Sequence, residues 1–197
     1  MTQHEDFPDT HHEMTHNTFF GFWIYLMTDF ILFATLFASY AVLRDATFGG
    51  PGGKELFNLP AVLLETLILS TSGFTCGLAT LAIPVDNKKK VIAWYAVTFL
   101  LGLWFFLQVC TEFGHLIQDG NTWQKSAFLS AYFTLVGTHA LHILLGLVFI
   151  VVFLIQVTRR GLIPVTKRRL TCLSMFWFFS YVVWIFMYAI VYLMGVT

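Results

Sequence analysis

Two histidines three residues apart, His139 and His142, stand in the middle of an unbroken apolar stretch, in Gly137-Thr138-His139-Ala140-Leu141-His142. Side chains at i and i+3 share a helix face. Imidazole binds metals and carries protons near neutral pH. Ionisable groups at membrane depth are costly and are kept only with partners. Three kinds of chemistry are therefore open to the pair: metal or haem ligation, a proton relay, or a structural network with a carboxylate.

The possible partners are few. Within the apolar stretches there is no Lys or Arg, and the remaining ionisable groups are Asp29 and Glu65. Glu112 and His115, again three apart, form a pair at the outer end of a third stretch. At a helical rise of about 1.5 Å per residue, Asp29 lies roughly 16 Å inside its span and His139 roughly 18 Å inside from the opposite side. A hydrocarbon core is about 30 Å thick, so the two fall level near its middle. Bis-histidine haem ligation needs histidines on facing helices, and no other span holds one. A relay through Asp29, His139 and Glu65 has no charged continuation towards the cytoplasmic side. The spacing therefore favours a structural network of Asp29, Glu65, His139 and His142 that pins the first span to the fourth, with Asp29 to His139 as its main contact. No catalytic, cofactor-binding or metal-binding residue is expected.

The elements that must position these groups are membrane helices. The 197 residues are 57% hydrophobic and only 11% charged, against roughly 25% charged in soluble domains. About 20 apolar residues cross a bilayer as a helix. Five runs reach that length, about 18–43, 59–83, 91–111, 127–157 and 170–195. They are too long and continuous for barrel strands, which alternate over about 10 residues. The expected fold is all-α, a polytopic bundle of five transmembrane helices over 18–197, preceded by a tail over 1–17. The acidic, histidine-rich start carries no Lys or Arg and so does not read as a cleaved signal peptide.

Loop charge sets the orientation. One side carries Lys88, Lys89, Lys90, Arg159, Arg160, Lys167, Arg168 and Arg169; the other carries Arg44, Lys54 and Lys125. The positive-inside rule then makes the N-terminus cytoplasmic and the C-terminus periplasmic. Trp23, Trp94, Trp123 and Tyr192 fall near span ends, where amphipathic rings favour the headgroup layer. In the tail, His4, His11, His12 and His16 alternate with carboxylates and could collect protons at the cytoplasmic surface. Gly73 and Gly77 have the spacing that lets two membrane helices approach closely. Cys76, Cys110 and Cys172 all lie within spans and form neither a disulfide framework nor a metal spacing.

These motifs resemble one family. SAFLSAYFTLVGTHALHILLG (126–146) is similar to the heart of subunit III of the haem–copper terminal oxidases. GFWIYLMTDFILFATLFASYAVL (21–43) resembles that family's helix with a buried acid, and Asp29 falls on the acid's position. GGPGGKELFNLPAVLLETLIL (49–69) and the ending VYLMGVT (191–197) resemble the form found in bo-type ubiquinol oxidases. The resemblance covers about residues 18–197. One departure stands out. The family's last span usually reads Trp-His-Phe-x-Asp-Val-Val-Trp, whereas here Phe178 and Tyr181 occupy the His and Asp positions.

The resemblance implies an auxiliary subunit of a proton-pumping quinol oxidase in the bacterial inner membrane. Such a chain holds no haem, copper or quinone of its own. It packs on subunit I, which carries the redox centres and proton channels, in an assembly with subunits II and IV. It binds structural phospholipid and supports assembly and sustained proton uptake. The complex, not this chain, oxidises quinol with oxygen and moves protons. Subunit III of a short-form cytochrome c oxidase, or a nitric-oxide-reductase accessory protein, shares the fold. A stand-alone transporter or membrane haem protein is the alternative of another class.

Overall fold

The structure, a computed structural model, describes residues 10–49, 52 and 59–194. The described residues form helices and turns without strands. Five long helices follow one another: α1 (Thr10–Leu43), α2 (Leu59–Ala82), α3 (Lys88–Gln118), α4 (Ala127–Arg160) and α5 (Pro164–Met187). α5 continues directly into a π-helical turn, Tyr188–Leu193. All five are long and apolar enough to cross a membrane, the fifth over Pro164–Leu193. Hydrocarbon offers no partner for backbone N–H and C=O groups, so such runs satisfy them internally as helices.

The helices overrun the apolar stretches at several ends. α1 begins at Thr10, inside the polar tail, and its apolar portion starts at Asn17. α3 extends from Lys88 to Gln118 rather than 91–111. The overrun has local causes. The Asn87 side chain accepts from the Lys90 N–H at 3.2 Å and caps the start of α3. The Ser126 hydroxyl accepts from the Leu129 N–H at 3.2 Å and caps α4. Arg159 and Arg160 lie in the last turn of α4, where cations suit the helix C-terminus. Gly161 then takes φ +74° and turns the chain, and Pro164 opens α5 at its first turn.

α2, α3, α4 and α5 form the core of the bundle. α2 packs on α3 and α5, and α4 packs on α3 and α5. α1 leans on α4 and more lightly on α5. One flank of α1 therefore leaves Phe20, Trp23, Ile24, Phe30 and Ile31 exposed.

Lipid tails are as apolar as leucine, so packing and interhelical hydrogen bonds hold such helices together. The bundle has both. The Ser72 hydroxyl donates to the Thr98 carbonyl at 3.2 Å, and the Thr75 and Thr98 hydroxyls are 2.9 Å apart, joining α2 to α3. Ser174 of α5 stands 2.8 Å from the Thr80 hydroxyl and 2.7 Å from the Tyr95 hydroxyl. The Trp184 indole N–H donates to the Thr66 hydroxyl at 3.1 Å.

Trp177 is the central piece. Its indole N–H donates to the Ser72 hydroxyl at 3.1 Å. Its ring lies between Gly102 of α3 and Gly146 of α4. A Cβ at Gly102 would come within 2.6 Å of that ring, and one at Gly146 within 2.9 Å. One buried side chain thus joins four helices.

Candidate functional site

Three buried polar groupings stand out, and they divide the expected network. The first joins α1 to α4. The Nε2 of His142 is 3.5 Å from the Oδ2 of Asp29. The Nδ1 of His142 is 2.9 Å from the Thr138 carbonyl one turn back on the same helix. That carbonyl can only accept, so Nδ1 carries a proton. The ring is steadied by Phe33, edge-on at 5.1 Å, and by Phe176, stacked at 6.1 Å. Asp29 therefore pins α1 to α4 through His142, and the expected contact with His139 is replaced. Depth counting placed His139 level with Asp29, but on the shared face His142 meets Asp29 while His139, one turn away, packs on Phe33.

The second grouping is His139 itself. It is 1% exposed, and neither ring nitrogen has a hydrogen-bond partner. Aromatic rings surround it: Trp184 at 5.3 Å, Phe105 at 6.0 Å and Phe33 at 6.3 Å. Here the imidazole packs as an aromatic ring. One histidine is thus walled in by rings, and the other is held by Asp29 and Thr138. Among the described residues no three His, Cys, Asp or Glu side chains gather as a metal site would require.

The third grouping holds Glu65, in a pocket that neither Asp29 nor His139 nor His142 lines. It lines a pocket of about 300 Å³ with Gln108, Glu112, His115 and Asp119. Glu112 and His115, expected together at the outer interface, both line this pocket, and Glu112 accepts from the Tyr132 hydroxyl at 3.0 Å. Tyr132 is in turn 3.1 Å from the Tyr192 hydroxyl. Tyr192 is fully buried there, so it is not a ring of the headgroup layer. The π-helical turn that carries Tyr192 also presents the Val191 carbonyl to the Tyr40 hydroxyl of α1 at 3.4 Å.

Gly73 and Gly77 do not bring two backbones together. A Cβ on Gly73 would meet the Tyr181 ring at 3.7 Å, and one on Gly77 would meet the Phe178 ring at 3.5 Å. The two glycines of α2 make room for the two aromatic residues that stand where the family pattern has His and Asp. Of the tail histidines, His4 and the side chains of His11, His12 and His16 lie outside the described residues. Gln108, Tyr132 and the Trp177 sandwich have no role in the sequence pattern, and Tyr192 has a different one. The spans do carry a signal for them, in isolated glycines at 102 and 146 and in aromatic hydroxyls at 132 and 192.

The bundle and its sites define a multi-pass helical membrane protein whose buried polar groups lock helices together. Residues 2–196 match the family described as Cytochrome c oxidase subunit III, and the chain belongs to that family. It is 51% identical over 187 residues to a Pseudomonas aeruginosa protein named Cytochrome bo(3) ubiquinol oxidase subunit 3, covering 95% of this chain and 90% of the relative. A Pseudomonas putida protein of the same name is 48% identical, covering 94% and 89%. A Bacillus protein named Cytochrome c oxidase subunit 3 is 40% identical, covering 92% and 87%.

Proposed function

We propose that this chain is the non-catalytic subunit III of a proton-pumping cytochrome bo-type ubiquinol oxidase. The observation that carries this reading is its 51% identity, over nearly its whole length, to a ubiquinol oxidase subunit 3. The chain packs on subunit I of the same complex, beside subunits II and IV, in the bacterial inner membrane. Haem and copper belong to subunit I. Lys88–Lys90 and Arg159–Arg169 face the cytoplasm, in keeping with the positive-inside rule.

Its contribution is structural. A cleft of about 540 Å³ between α1, α4 and α5 is lined by Phe22, Phe149, Phe153 and Phe176, with Arg168 and Arg169 among the same lining residues. Apolar walls with two guanidinium groups suit a phospholipid, its acyl chains on the rings and its phosphate on the arginines. A seated lipid would fill the side of the bundle where α1 is least packed.

Affinity purification of the tagged chain from native membranes tests the reading. The expected product is a haem-bearing assembly that oxidises ubiquinol. Recovery of the chain alone, or with partners that carry no haem, overturns it. The 40% identity to a cytochrome c oxidase subunit 3 favours one second reading. Oxidation of cytochrome c, and not of quinol, by the purified complex would select it.

A further inference from the structure

Three buried oxygens on two helices border one pocket. Glu65 of α2 is 5% exposed. Its Oε2 has no hydrogen-bond partner, and neither do the Oε1 of Gln108 and the Oε2 of Glu112 on α3. All three residues line the pocket of about 300 Å³, together with the exposed His115 and Asp119. No Lys or Arg lines it. A buried polar atom without a partner calls for a specific explanation.

All three atoms are acceptors while the carboxyl groups are ionised. What the cluster lacks is a donor. The three oxygens are themselves closed off from water, so the donor must take almost no room. A carboxyl proton meets that condition. Rotating the Gln108 amide would bring N–H donors but no positive charge, and the mutual repulsion of Glu65 and Glu112 would remain. Two carboxylates in one site relieve that repulsion by sharing a proton.

A second, independent feature fixes the geometry. Tyr132 of α4 spends its hydroxyl proton on the Oε1 of Glu112, at 3.0 Å. Tyr192 therefore donates to Tyr132, at 3.1 Å. This chain holds Glu112 in place and leaves its Oε2 as the oxygen without a partner.

We propose that Glu65 and Glu112 form a proton-binding site that holds one proton, with Gln108 as a further acceptor. The site opens through the pocket at His115 and Asp119. The titratable and charged groups around it are Glu65 on α2, Glu112, His115 and Asp119 on α3, Tyr132 on α4, Tyr192 on the π-helical turn and, beyond it, Tyr40 on α1. It is separate from the pair made by Asp29 and His142.

Infrared difference spectra of the assembled oxidase, stepped between mildly acidic and mildly alkaline buffer, test the proposal. The expected result is a protonated-carboxyl C=O band, shifted by deuteration. It is lost in Glu65→Gln and in Glu112→Gln and kept in Asp29→Asn. Tyr132→Phe removes a donor from Glu112 and moves the band. A hydrophobic carbodiimide, which reacts with protonated carboxyl groups, gives a second readout by peptide mapping. It should label Glu65 or Glu112 in the unaltered complex, and this measurement decides if a Gln variant does not assemble. The proposal is overturned if neither glutamate carries an adduct, or if the band persists in both Gln variants.

Discussion

The imidazole of His142 stands 3.5 Å from the Asp29 carboxylate and bridges α1 to α4. Both side chains are nearly buried, at 11% and 12% exposure. α1 leans on α4 and more lightly on α5, and this pair is one of its polar attachments beside the buried Leu26, Phe33 and Tyr40. Polar contacts between membrane helices contribute about 0.6 kcal/mol on average and reach about 1.7.

Asp29→Asn should therefore weaken α1 docking by about 1 kcal/mol while oxygen reduction by the assembled complex continues. Heating the complex in detergent and following release of this subunit measures the first effect. Oxygen uptake measures the second. Loss of all turnover in a fully assembled variant would refute a structural role.

The two histidines should respond oppositely to the same substitution. His142→Leu strands the Asp29 carboxylate in the bundle and should destabilise it. His139→Leu removes two unpartnered nitrogens, each unmade bond costing about 1–3 kcal/mol, and replaces the ring with an aliphatic group of similar volume. Thermal stability should stay level or rise. A large loss in His139→Leu would show that its nitrogens have partners in the assembled complex.

Sequence patterning made the five spans legible because hydrocarbon imposes length and apolarity on them. It did not fix which faces meet. Depth counting gives height along the membrane normal but not rotation about each helix axis. Asp29 and His139 thus looked matched, although the face of α4 turned towards α1 carries both histidines and it is His142, one turn along, that meets Asp29. Glu65 and Glu112 are far apart in sequence and border one pocket only because α2 and α3 pack closely. The Trp177 sandwich was equally hidden, since an isolated glycine in a span has no pattern until the ring opposite it is known.

That sandwich predicts two sharp effects. Gly102→Ala places a methyl group 2.6 Å from the buried Trp177 ring. The ring is locked between α3 and α4, so overpacking of this kind should cost about 1–3 kcal/mol. Gly114→Ala on the same helix, with nothing within 4 Å, should cost little. Detergent melting of the two variants side by side checks the difference, and equal melting would show that Trp177 can move aside.

The phospholipid cleft predicts a selective loss. Arg169 also bonds to the Oε1 of Gln156 at 2.9 Å, which holds its guanidinium in place. Replacing Arg168 and Arg169 together by Gln keeps most of the aliphatic stem and removes both charges. Less phospholipid should be retained on purification, while the apolar walls are untouched. Lipid analysis of equal amounts of complex decides it, and unchanged phospholipid content would assign the cleft no headgroup role.

The last prediction concerns the aromatic pair in α5. Phe178 and Tyr181 sit over Gly77 and Gly73, where the family pattern places His and Asp. The Tyr181 hydroxyl reaches Ser70 at only 3.4 Å, a long contact, so Tyr181→Phe should be nearly neutral. Tyr181→Asp alone puts a carboxylate among apolar neighbours and opens a void over Gly73. Adding Phe178→His supplies a partner one turn away, three residues along the helix. The double variant should be more stable than the sum of the single effects predicts, with a coupling of about 0.5–3 kcal/mol. The four-corner cycle, read by melting of the assembled complex, measures that term. A coupling of zero would mean that the two aromatic residues replaced His and Asp independently, each filling the space above its own glycine.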